Sequence, residues 1–371
     1  MNNCTEKTGT KWSKKRIWEW YNKKPWIRGC NFISSDCANR VDQWQEYKFE
    51  ERFETTEREL ALAAETGFNS IRIIPEFFVW EQEHDGFMER FERYIEAAHK
   101  NGISCMVVLG NDCMPPKEEA IERRHLGEQK VDWGYHGGRK VSQHGTLKEP
   151  GFSALDEPES AEKYYEFVRE IVTKYKDDER IIIWDVFNEP GQAKRKSMSL
   201  PHLKKFFEII RDIDPIQPLT VGIWTVLDDI RDLPETEKYG LENSDIVSFH
   251  SYDTYIKNVE KINQLKKLGR PIINTEWLAR CMGNTVDEMF PLFFLEKIGC
   301  YNWGFVAGKT QTYEQWEGMW DLYNKDPENN SWDFDKWLHD LYRPSLHPYN
   351  PNEIKLIKRF CKLADEEFNE K

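Results

Sequence analysis

The sequence predicts a protein of the α/β class, built as a single (β/α)8 TIM barrel. Strand-like and helix-like segments alternate eight times, with no repeated sequence and no obvious linker between them, as expected of parallel α/β folds. The strand-like runs are short and β-branched, a pattern typical of strands buried on both faces. A doubly wound sheet is the alternative, but no glycine-rich phosphate loop follows the first predicted strand, so the barrel is favoured.

Each predicted strand is a short apolar run. The eight strands are predicted at residues 26–32, 69–75, 103–110, 181–188, 219–224, 245–250, 272–276 and 301–305. The intervening helices are amphipathic and several end at glycine. They are predicted at residues 55–66, 87–100, 161–175, 203–211, 256–268 and 286–297. A weak helix is also predicted after the fifth strand, a short one near 13–21, and a last one from residue 352.

One long segment interrupts the alternation after the third strand. Residues 111–158 are too many for a plain loop, and they include several glycines together with Trp133, Tyr135, His136 and His144. Because this segment follows a strand end, the topology puts it on the catalytic face of the barrel. We expect a substrate-binding flap with aromatic platforms, and a surface insertion without a role is the alternative. The predicted organisation is one catalytic domain over residues 1–371 that carries this β3–α3 insertion.

Charge and hydropathy exclude several kinds of partner. The formal net charge is −13, which disfavours binding to nucleic acid and to anionic membranes. No apolar run approaches 18 residues, the length that a membrane-spanning helix needs. The first 15 residues are polar and lack the apolar core of a secretory signal. The sequence therefore predicts a cytoplasmic protein, and it specifies no oligomeric state.

The cysteines and histidines do not suggest a metal site or a cofactor. The eight cysteines are scattered and form no CxxC pair, so reduced, structural thiols are expected. The nine histidines show neither HxH nor HExxH spacing, which disfavours a catalytic metal. The sequence therefore predicts neither a metal ion nor a cofactor.

Two glutamates at predicted strand ends indicate the chemistry. The fourth strand closes on Asn188, Glu189 and Pro190, and proline cannot continue a central strand. The seventh strand closes on Glu276. Either glutamate alone could simply cap the following helix. Two strand-end glutamates, however, can face each other across a barrel mouth, and paired carboxylates are what cleavage of a glycosidic bond requires.

Other strand ends carry polar groups that can serve the same site. Arg72 lies within the second strand, and an arginine inside a barrel must find a carboxylate. A structural ion pair and the orientation of a catalytic glutamate are compatible roles for it. His250 and Tyr252 follow the sixth strand with alternating spacing, so both can point the same way. A packed polar pair at a strand end is the alternative for these two.

Two tryptophans and an asparagine complete the set of candidates. Trp303 ends the eighth predicted strand, where a tryptophan at the barrel mouth could form a floor for a sugar ring. Trp224 holds a similar position on the fifth strand, with a stronger alternative as a core residue. Asn111 ends the third strand and is followed by Asp112.

Taken in order, these residues resemble the large clan of glycoside hydrolases whose catalytic glutamates end strands four and seven. The resemblance is closest to the family 5 cellulase-like proteins, often labelled cellulase or endo-xylanase, and covers residues 26–360. Any one match is weak, whereas the ordered set is specific: Arg72, Asn188, Glu189, Pro190, His250, Tyr252, Glu276 and Trp303. The histidine that the family usually has near the third strand is replaced here by Asn111 and Asp112.

The resemblance implies a role for each matching residue. Glu189 is similar to the acid/base, Glu276 to the nucleophile, and Asn188 to the residue that binds the sugar 2-hydroxyl. Tyr252 is similar to the partner of the nucleophile, and Trp303 to the stacking platform. The implied activity is that of a retaining β-glycoside hydrolase acting on oligosaccharides or small β-glycosides, with carbohydrate as its partner. A transglycosidase on the same site and a non-catalytic carbohydrate-binding barrel are the alternatives.

Overall fold

Eight parallel strands close into a barrel in sequence order, with β1 paired to β8. The computed structural model describes residues 9–131, 148–225 and 229–370. The strands are β1 (Arg28–Asn31), β2 (Ser70–Ile73), β3 (Ser104–Val108), β4 (Ile181–Asn188), β5 (Leu219–Ile223), β6 (Val247–His250), β7 (Ile272–Trp277) and β8 (Gly299–Asn302). This arrangement confirms the predicted (β/α)8 barrel.

Helices surround the barrel and connect successive strands. They are α1 (Lys14–Asn22), α2 (Arg40–Trp44), α3 (Phe49–Thr66), α4 (Phe77–Gln82), α5 (His84–Lys100), α6 (Lys117–Glu122), α7 (Pro158–Tyr175), α8 (Leu200–Ile213), α9 (Glu235–Asn243), α10 (Tyr255–Lys266), α11 (Val286–Leu295), α12 (Glu317–Lys325) and α13 (Pro351–Asn369). Among the described helices, none combines the length and apolar character that a bilayer span requires.

The main differences from the prediction are local. Helix α3 begins at Phe49 rather than at residue 55, because Phe49 and Phe53 form a buried stacked pair on its inner face. The next inward-facing residue, Thr56, is polar although it is buried. The apolar spacing that would have indicated the first turn is therefore interrupted. Helices α2, α4 and α6 have only five or six residues, too few to show a helical period. Strand β8 begins at Gly299 and ends at Asn302, so Trp303 follows the strand instead of lying within it.

The amino-terminal end of the barrel is closed by α1. Trp12 and Ile17 pack with interior residues such as Met106 and Ile183 in one buried cluster. The Trp12 backbone N–H also donates to Asp245 Oδ1 just before β6, at 2.8 Å. With this end sealed, the barrel can open to a ligand only at the carboxyl ends of its strands, where barrel enzymes bind substrates.

The strand register becomes irregular near that open end. Shifts occur between β4 and β5 after Asp185, between β6 and β7 after Phe249, and between β7 and β8 after Asn274. Such bulges re-aim the side chains that follow them and are common beside active sites. The candidate residues at the ends of β4, β6 and β7 therefore leave their strands at angles that ideal pairing would not give.

Part of the long segment between β3 and β4 is tied to the loop after β4. The buried Arg195 pairs with Asp112 and with Asp156, each at 2.7 Å, and donates to the Gly151 carbonyl at 2.7 Å. These contacts hold the beginning and the end of the segment against the loop that follows β4. The flap aromatics expected from the sequence (Trp133, Tyr135, His136 and His144) lie outside the described residues.

Candidate active site

Glu189 follows the last residue of β4 in a left-handed backbone conformation. Its φ is 47°, an uncommon value for a residue with a Cβ and one that tends to occur at functional sites. The Glu189 backbone N–H donates to the Gly222 carbonyl of β5 at 3.0 Å, and Pro190 prevents the strand from continuing. The conformation turns a buried carboxylate, 6% exposed, into the barrel mouth.

Glu276 lies near the end of β7 and is held by two neighbours. Arg72 Nη1 donates to Glu276 Oε1 at 2.9 Å, and the Tyr252 hydroxyl donates to Glu276 Oε2 at 2.8 Å. Both oxygens of this buried carboxylate thus accept a hydrogen bond from a protein side chain. The structure thus brings Tyr252, which the resemblance likened to the partner of the nucleophile, into contact with Glu276.

His250 lies between the two glutamates. Its Nδ1 is 2.6 Å from Glu189 Oε1 and 3.5 Å from Glu276 Oε2. One carboxylate oxygen from each glutamate and one His250 ring nitrogen lie within 4.8 Å of one another. The ring fits because β5 carries a glycine beside it: a Cβ at Gly222 would lie 2.8 Å from His250 Nε2. The two carboxylates therefore face each other at short range, as the strand-end pattern predicted.

Arg72 lies at the centre of a polar network next to Glu189 and Glu276. Besides its contact with Glu276, it reaches Asp185 Oδ2 through Nε at 3.0 Å and through Nη2 at 2.8 Å. It also donates to Asn31 Oδ1 at 2.7 Å and to Asn188 Oδ1 at 2.5 Å. The two roles considered for Arg72 from the sequence coincide, since one guanidinium makes a fully buried ion pair and also holds a candidate catalytic carboxylate.

Asn188 and Asn111 connect β4 to the end of β3. Asn188 Nδ2 donates to Asn111 Oδ1 at 2.8 Å, and the two residues form a parallel bridge. Asn111 Oδ1 also accepts from the Cys113 backbone N–H at 3.1 Å. This arrangement orients Asn188 beside Glu189, although neither amide lines the cavity described below.

Sequence reasoning missed Cys113. Its thiol lies 2.9 Å from Glu189 Oε2, whereas the sequence suggested only a structural cysteine. The one available signal was its position two residues after Asn111, on the same side of an extended chain. Burial raises the pKa of the Cys113 thiol well above its usual range, and the Glu189 carboxyl adds to this effect. The thiol therefore stays protonated and can donate its hydrogen bond.

The two glutamates line a cavity of about 260 Å³. Trp224 and His250 form part of its wall, so Trp224 is a cavity residue rather than the core residue that the sequence also allowed. The Trp224 backbone N–H donates to Glu237 at 2.8 Å, which fixes the start of the loop after β5. Tyr252, which the sequence also singled out, lines the cavity as well. The remaining lining residues were not singled out from the sequence; they are Gln192, Ser251, Asp253, Lys261, Met282 and Trp316.

Trp303 lines a different space. It contributes with Asn31 and Arg72 to a neighbouring cavity of about 50 Å³ on the β1, β2 and β8 side of the barrel. The Trp303 backbone N–H still donates to the Trp277 carbonyl at 2.9 Å, which keeps the residue at the barrel mouth. Arg72 therefore lines this space and also belongs to the hydrogen-bond network that holds Glu276.

Burial dominates the electrostatics of the site. It raises the pKa of Glu276 above its ordinary value, and Glu189 acts in the same direction because two nearby carboxylates resist joint ionisation. His250, Arg72 and Tyr252 oppose this rise. For Arg72, burial disfavours the charge, but Asp185 and Glu276 outweigh it, so the pKa of Arg72 is raised. The guanidinium is thus a fixed positive charge beside Glu276.

Glu189, His250 and Glu276 are also the donor set within the described residues that could approach a cation. Their donor atoms are already engaged with one another or with protein donors, as the His250–Glu189 contact shows. The Arg72 charge, 2.9 Å from Glu276, would repel an ion at this place. The arrangement suits acid–base and nucleophilic chemistry better than metal ligation.

A comparison with known protein families identifies the family of this chain. Residues 30–334 match the model of the family described as cellulase (glycosyl hydrolase family 5). None of the curated proteins matches the sequence. The family match covers most of the chain and confirms the resemblance inferred from the strand-end residues.

Solved structures with a similar fold include several enzymes of low sequence identity. A glycoside hydrolase family 5 mannosidase from Rhizomucor miehei is 14% identical, with a TM-score of 0.54 and coverage of 93% of this chain and 94% of that one. An endo-β-1,4-mannanase from Thermotoga petrophila is 15% identical (TM-score 0.55; 94% and 78%). A β-1,4-mannanase from the sea hare Aplysia kurodai is also 15% identical (TM-score 0.53; 75% and 87%).

These structures establish the barrel fold, and the family model covers all eight strands except the first two residues of β1. The chain is therefore a glycosidase that belongs to the cellulase family, glycosyl hydrolase family 5.

Proposed function

We propose that the protein is a retaining β-glycosidase that acts on oligosaccharides or small β-glycosides by double displacement. The observation that carries this proposal is the short distance between the two carboxylates: one oxygen of Glu189 and one oxygen of Glu276 lie within 4.8 Å of each other. Retaining enzymes hold their carboxyl groups about 5–5.5 Å apart, whereas inverting enzymes leave roughly 6.5–9.5 Å for a water molecule. The pair Glu189 and Glu276 fits the first class.

Glu276 is the nucleophile in the proposed reaction. Its oxygens are oriented by Arg72 and Tyr252, and hydrogen bonds to a carboxylate favour its ionised form. The anion attacks the anomeric carbon of the bound sugar and forms a covalent glycosyl-enzyme. Because the Arg72 charge is fixed in place, no reorganisation of this partner is needed during attack.

Glu189 is the acid/base. In the first step it protonates the oxygen of the leaving group, and in the second it takes a proton from the water that releases the sugar. His250 and Cys113 bind the two oxygens of this carboxylate, so its position is set from both sides. The anomeric configuration is inverted twice and therefore retained.

Asn188, Trp224 and His250 are proposed to contact the substrate. Asn188 is held next to Glu189 by Arg72 and Asn111, outside the cavity lining, and it is proposed to bind the sugar 2-hydroxyl when substrate occupies the site. Trp224 and His250 line the cavity directly. Trp303 is proposed as the stacking platform on the side where it meets Arg72 and Asn31.

The test is a panel of aryl β-glycosides (glucoside, galactoside, mannoside, xyloside and arabinoside), followed by NMR of the first-formed product. The mannoside is included because barrels of similar fold carry mannosidase and mannanase names. We expect turnover of at least one glycoside with initial release of the β-anomer. Initial release of the α-anomer would overturn the double-displacement mechanism. With an added sugar acceptor, transfer in place of hydrolysis would identify a transglycosidase instead.

A further inference from the structure

A second cavity continues from the catalytic one. Its volume is about 370 Å³, and the two spaces share Met282 and Trp316 as walls. The second cavity leads away from the glutamates along α12, the helix inserted between β8 and α13. We call it the α12 groove, and it is lined by Met282, Trp316, Gly318, Met319, Asp321, Leu322, Lys325 and Trp332.

The floor of the α12 groove is a packed hydrophobic cluster that reaches the catalytic residues. Ala279, Cys281, Met319 and Leu338 are buried at its centre, and Tyr252, Met282, Trp316 and Trp332 pack against them. The Tyr252 ring meets the Trp316 ring edge-on, with 5.2 Å between centroids. Because the Tyr252 hydroxyl binds Glu276, one continuous packed layer extends from the catalytic carboxylate to the far wall of the groove.

The chemistry of the groove suits a sugar chain. Trp316 and Trp332 are half-buried and offer flat apolar surfaces, while Leu322 is 54% exposed. Asp321 and Lys325 place exposed charged groups at the rim. A pyranose ring has an apolar C–H face and a periphery of hydroxyls, so it can stack on an indole while its hydroxyls bond to charged side chains. Eight residues line the groove, far fewer than the roughly 20–30 residues per side of a stable protein interface.

We propose that the α12 groove binds further sugar units of the same chain whose glycosidic bond is cleaved beside Glu189 and Glu276. This inference rests on the proposed glycosidase function and makes it more specific: the natural substrate is an oligosaccharide that extends past the catalytic cavity, rather than a glycoside of a single sugar. The continuity at Met282 and Trp316 argues for this occupant, because a chain that leaves the catalytic cavity on this side must enter the groove.

Trp332→Ala is the variant that tests the inference. Trp332 lines the groove but not the catalytic cavity. We compare kcat/KM for mannotetraose and cellotetraose with that for the best aryl monoglycoside. Loss of one stacking surface should lower the ratio of tetrasaccharide to monoglycoside efficiency about ten-fold, mainly through KM. The matched control is Trp18→Ala, which truncates an exposed tryptophan on α1 at the closed end of the barrel; it should leave the ratio unchanged.

Binding to an inactive enzyme separates this inference from the proposed function. We expect calorimetry to show tighter binding of a tetrasaccharide to Glu276→Ala than to the double variant Glu276→Ala/Trp332→Ala. If the wild type cleaves nothing but this difference persists, the proposed function fails and the groove assignment stands. An unchanged ratio with unchanged tetrasaccharide binding would overturn the groove assignment. Equal loss on both substrates, with a lowered melting temperature, would also overturn it, because Trp332 would then be a structural residue.

Discussion

The thiol of Cys113 donates a hydrogen bond to Glu189, with 2.9 Å between Sγ and Oε2. The other oxygen of the same carboxylate meets His250 Nδ1 at 2.6 Å. The proposed acid/base is thus positioned by one group from the end of β3 and another from the end of β6. A cysteine in this place is a positioning residue, since it acts through Glu189 rather than on the sugar.

Removal of this thiol should impair acid catalysis selectively. Cys113→Ala should lower kcat/KM roughly 10- to 150-fold on a glycoside with a poor leaving group, because hydrogen bonds to charged groups contribute about 1.5–3 kcal/mol. The loss should be smaller for a dinitrophenyl glycoside, which needs little protonation to depart. Cys113→Ser retains a donor and should recover most of the activity. Equal losses on both substrates would argue against the positioning role, and Cys361→Ala, at a buried thiol on α13, is the control.

Replacing each glutamate by alanine should have different effects on activity and on the covalent intermediate. Glu276→Ala removes the proposed nucleophile, so activity should fall on every substrate. Glu189→Ala keeps the nucleophile, so a dinitrophenyl glycoside should still react in the first step and the covalent intermediate should accumulate. Mass spectrometry of the stopped reaction detects that intermediate.

Added azide assigns the two roles stereochemically. Azide needs no general base, so it should rescue Glu189→Ala and give the β-glycosyl azide. With Glu276→Ala, direct displacement should give the α-glycosyl azide instead. Reversed anomeric products, read by NMR, would reverse the assignment of acid/base and nucleophile. An unchanged rate in both variants would place the catalytic site elsewhere.

Arg72 should be essential for stability as well as for activity. It is fully buried with Asp185, and it also neutralises Glu276. Arg72→Met leaves two buried carboxylates without a counter-charge, and breaking a buried pair in this way typically costs about 3–5 kcal/mol in the free energy of unfolding. Urea denaturation measures the loss. Arg231→Met, which breaks the exposed pair with Asp229, should have little effect; comparable losses in the two variants would contradict the prediction.

Glu59 on α3 should make stability depend on pH. Burial raises its pKa from 4.5 to about 7, while hydrogen bonds from Ser35 oppose the rise. Arg58 lies 3.8 Å away and also opposes it, whereas Asp36 acts with burial. Because the folded state binds the proton more tightly than the unfolded state, this contribution to stability is complete below pH 4.5. It is then lost as the pH rises through 7.

Urea unfolding at pH 5 and pH 8 tests this effect. From the shift in pKa, Glu59 alone should make the wild type up to about 3 kcal/mol less stable at the higher pH. Glu59→Gln has no proton to lose and can still accept from the Ser35 N–H. The variant should therefore show a smaller difference between the two pH values, and an identical difference in both proteins would refute the assignment.

Activity should survive a chelator. The donor set of Glu189, His250 and Glu276 is close enough to approach a cation, but Arg72 beside Glu276 opposes one. Incubation with EDTA should leave kcat/KM on the best aryl glycoside unchanged. Loss of activity that is restored by a divalent ion would overturn the metal-free mechanism.

The sequence by itself determined the barrel and most of the candidate site. Short β-branched runs alternating with amphipathic helices are local patterns, and each can be read without knowledge of its neighbours. The strand-end positions of Glu189 and Glu276 followed from the same patterns, because parallel strands bring their carboxyl ends to one face. Arg72, His250 and Tyr252 could be placed near them for the same reason.

Only the tertiary structure decided which side chains touch. The contact of Cys113 with Glu189 depends on the bridge between Asn111, which follows β3, and Asn188 of β4. The place of His250 depends on Gly222 of β5. Strand register and bulges set these distances, and neither can be inferred from the apolar periodicity of a single strand. Trp303 proved to line a separate space and Trp316 the catalytic one, because long loops after β8 are positioned by packing against other elements rather than by their own sequence pattern.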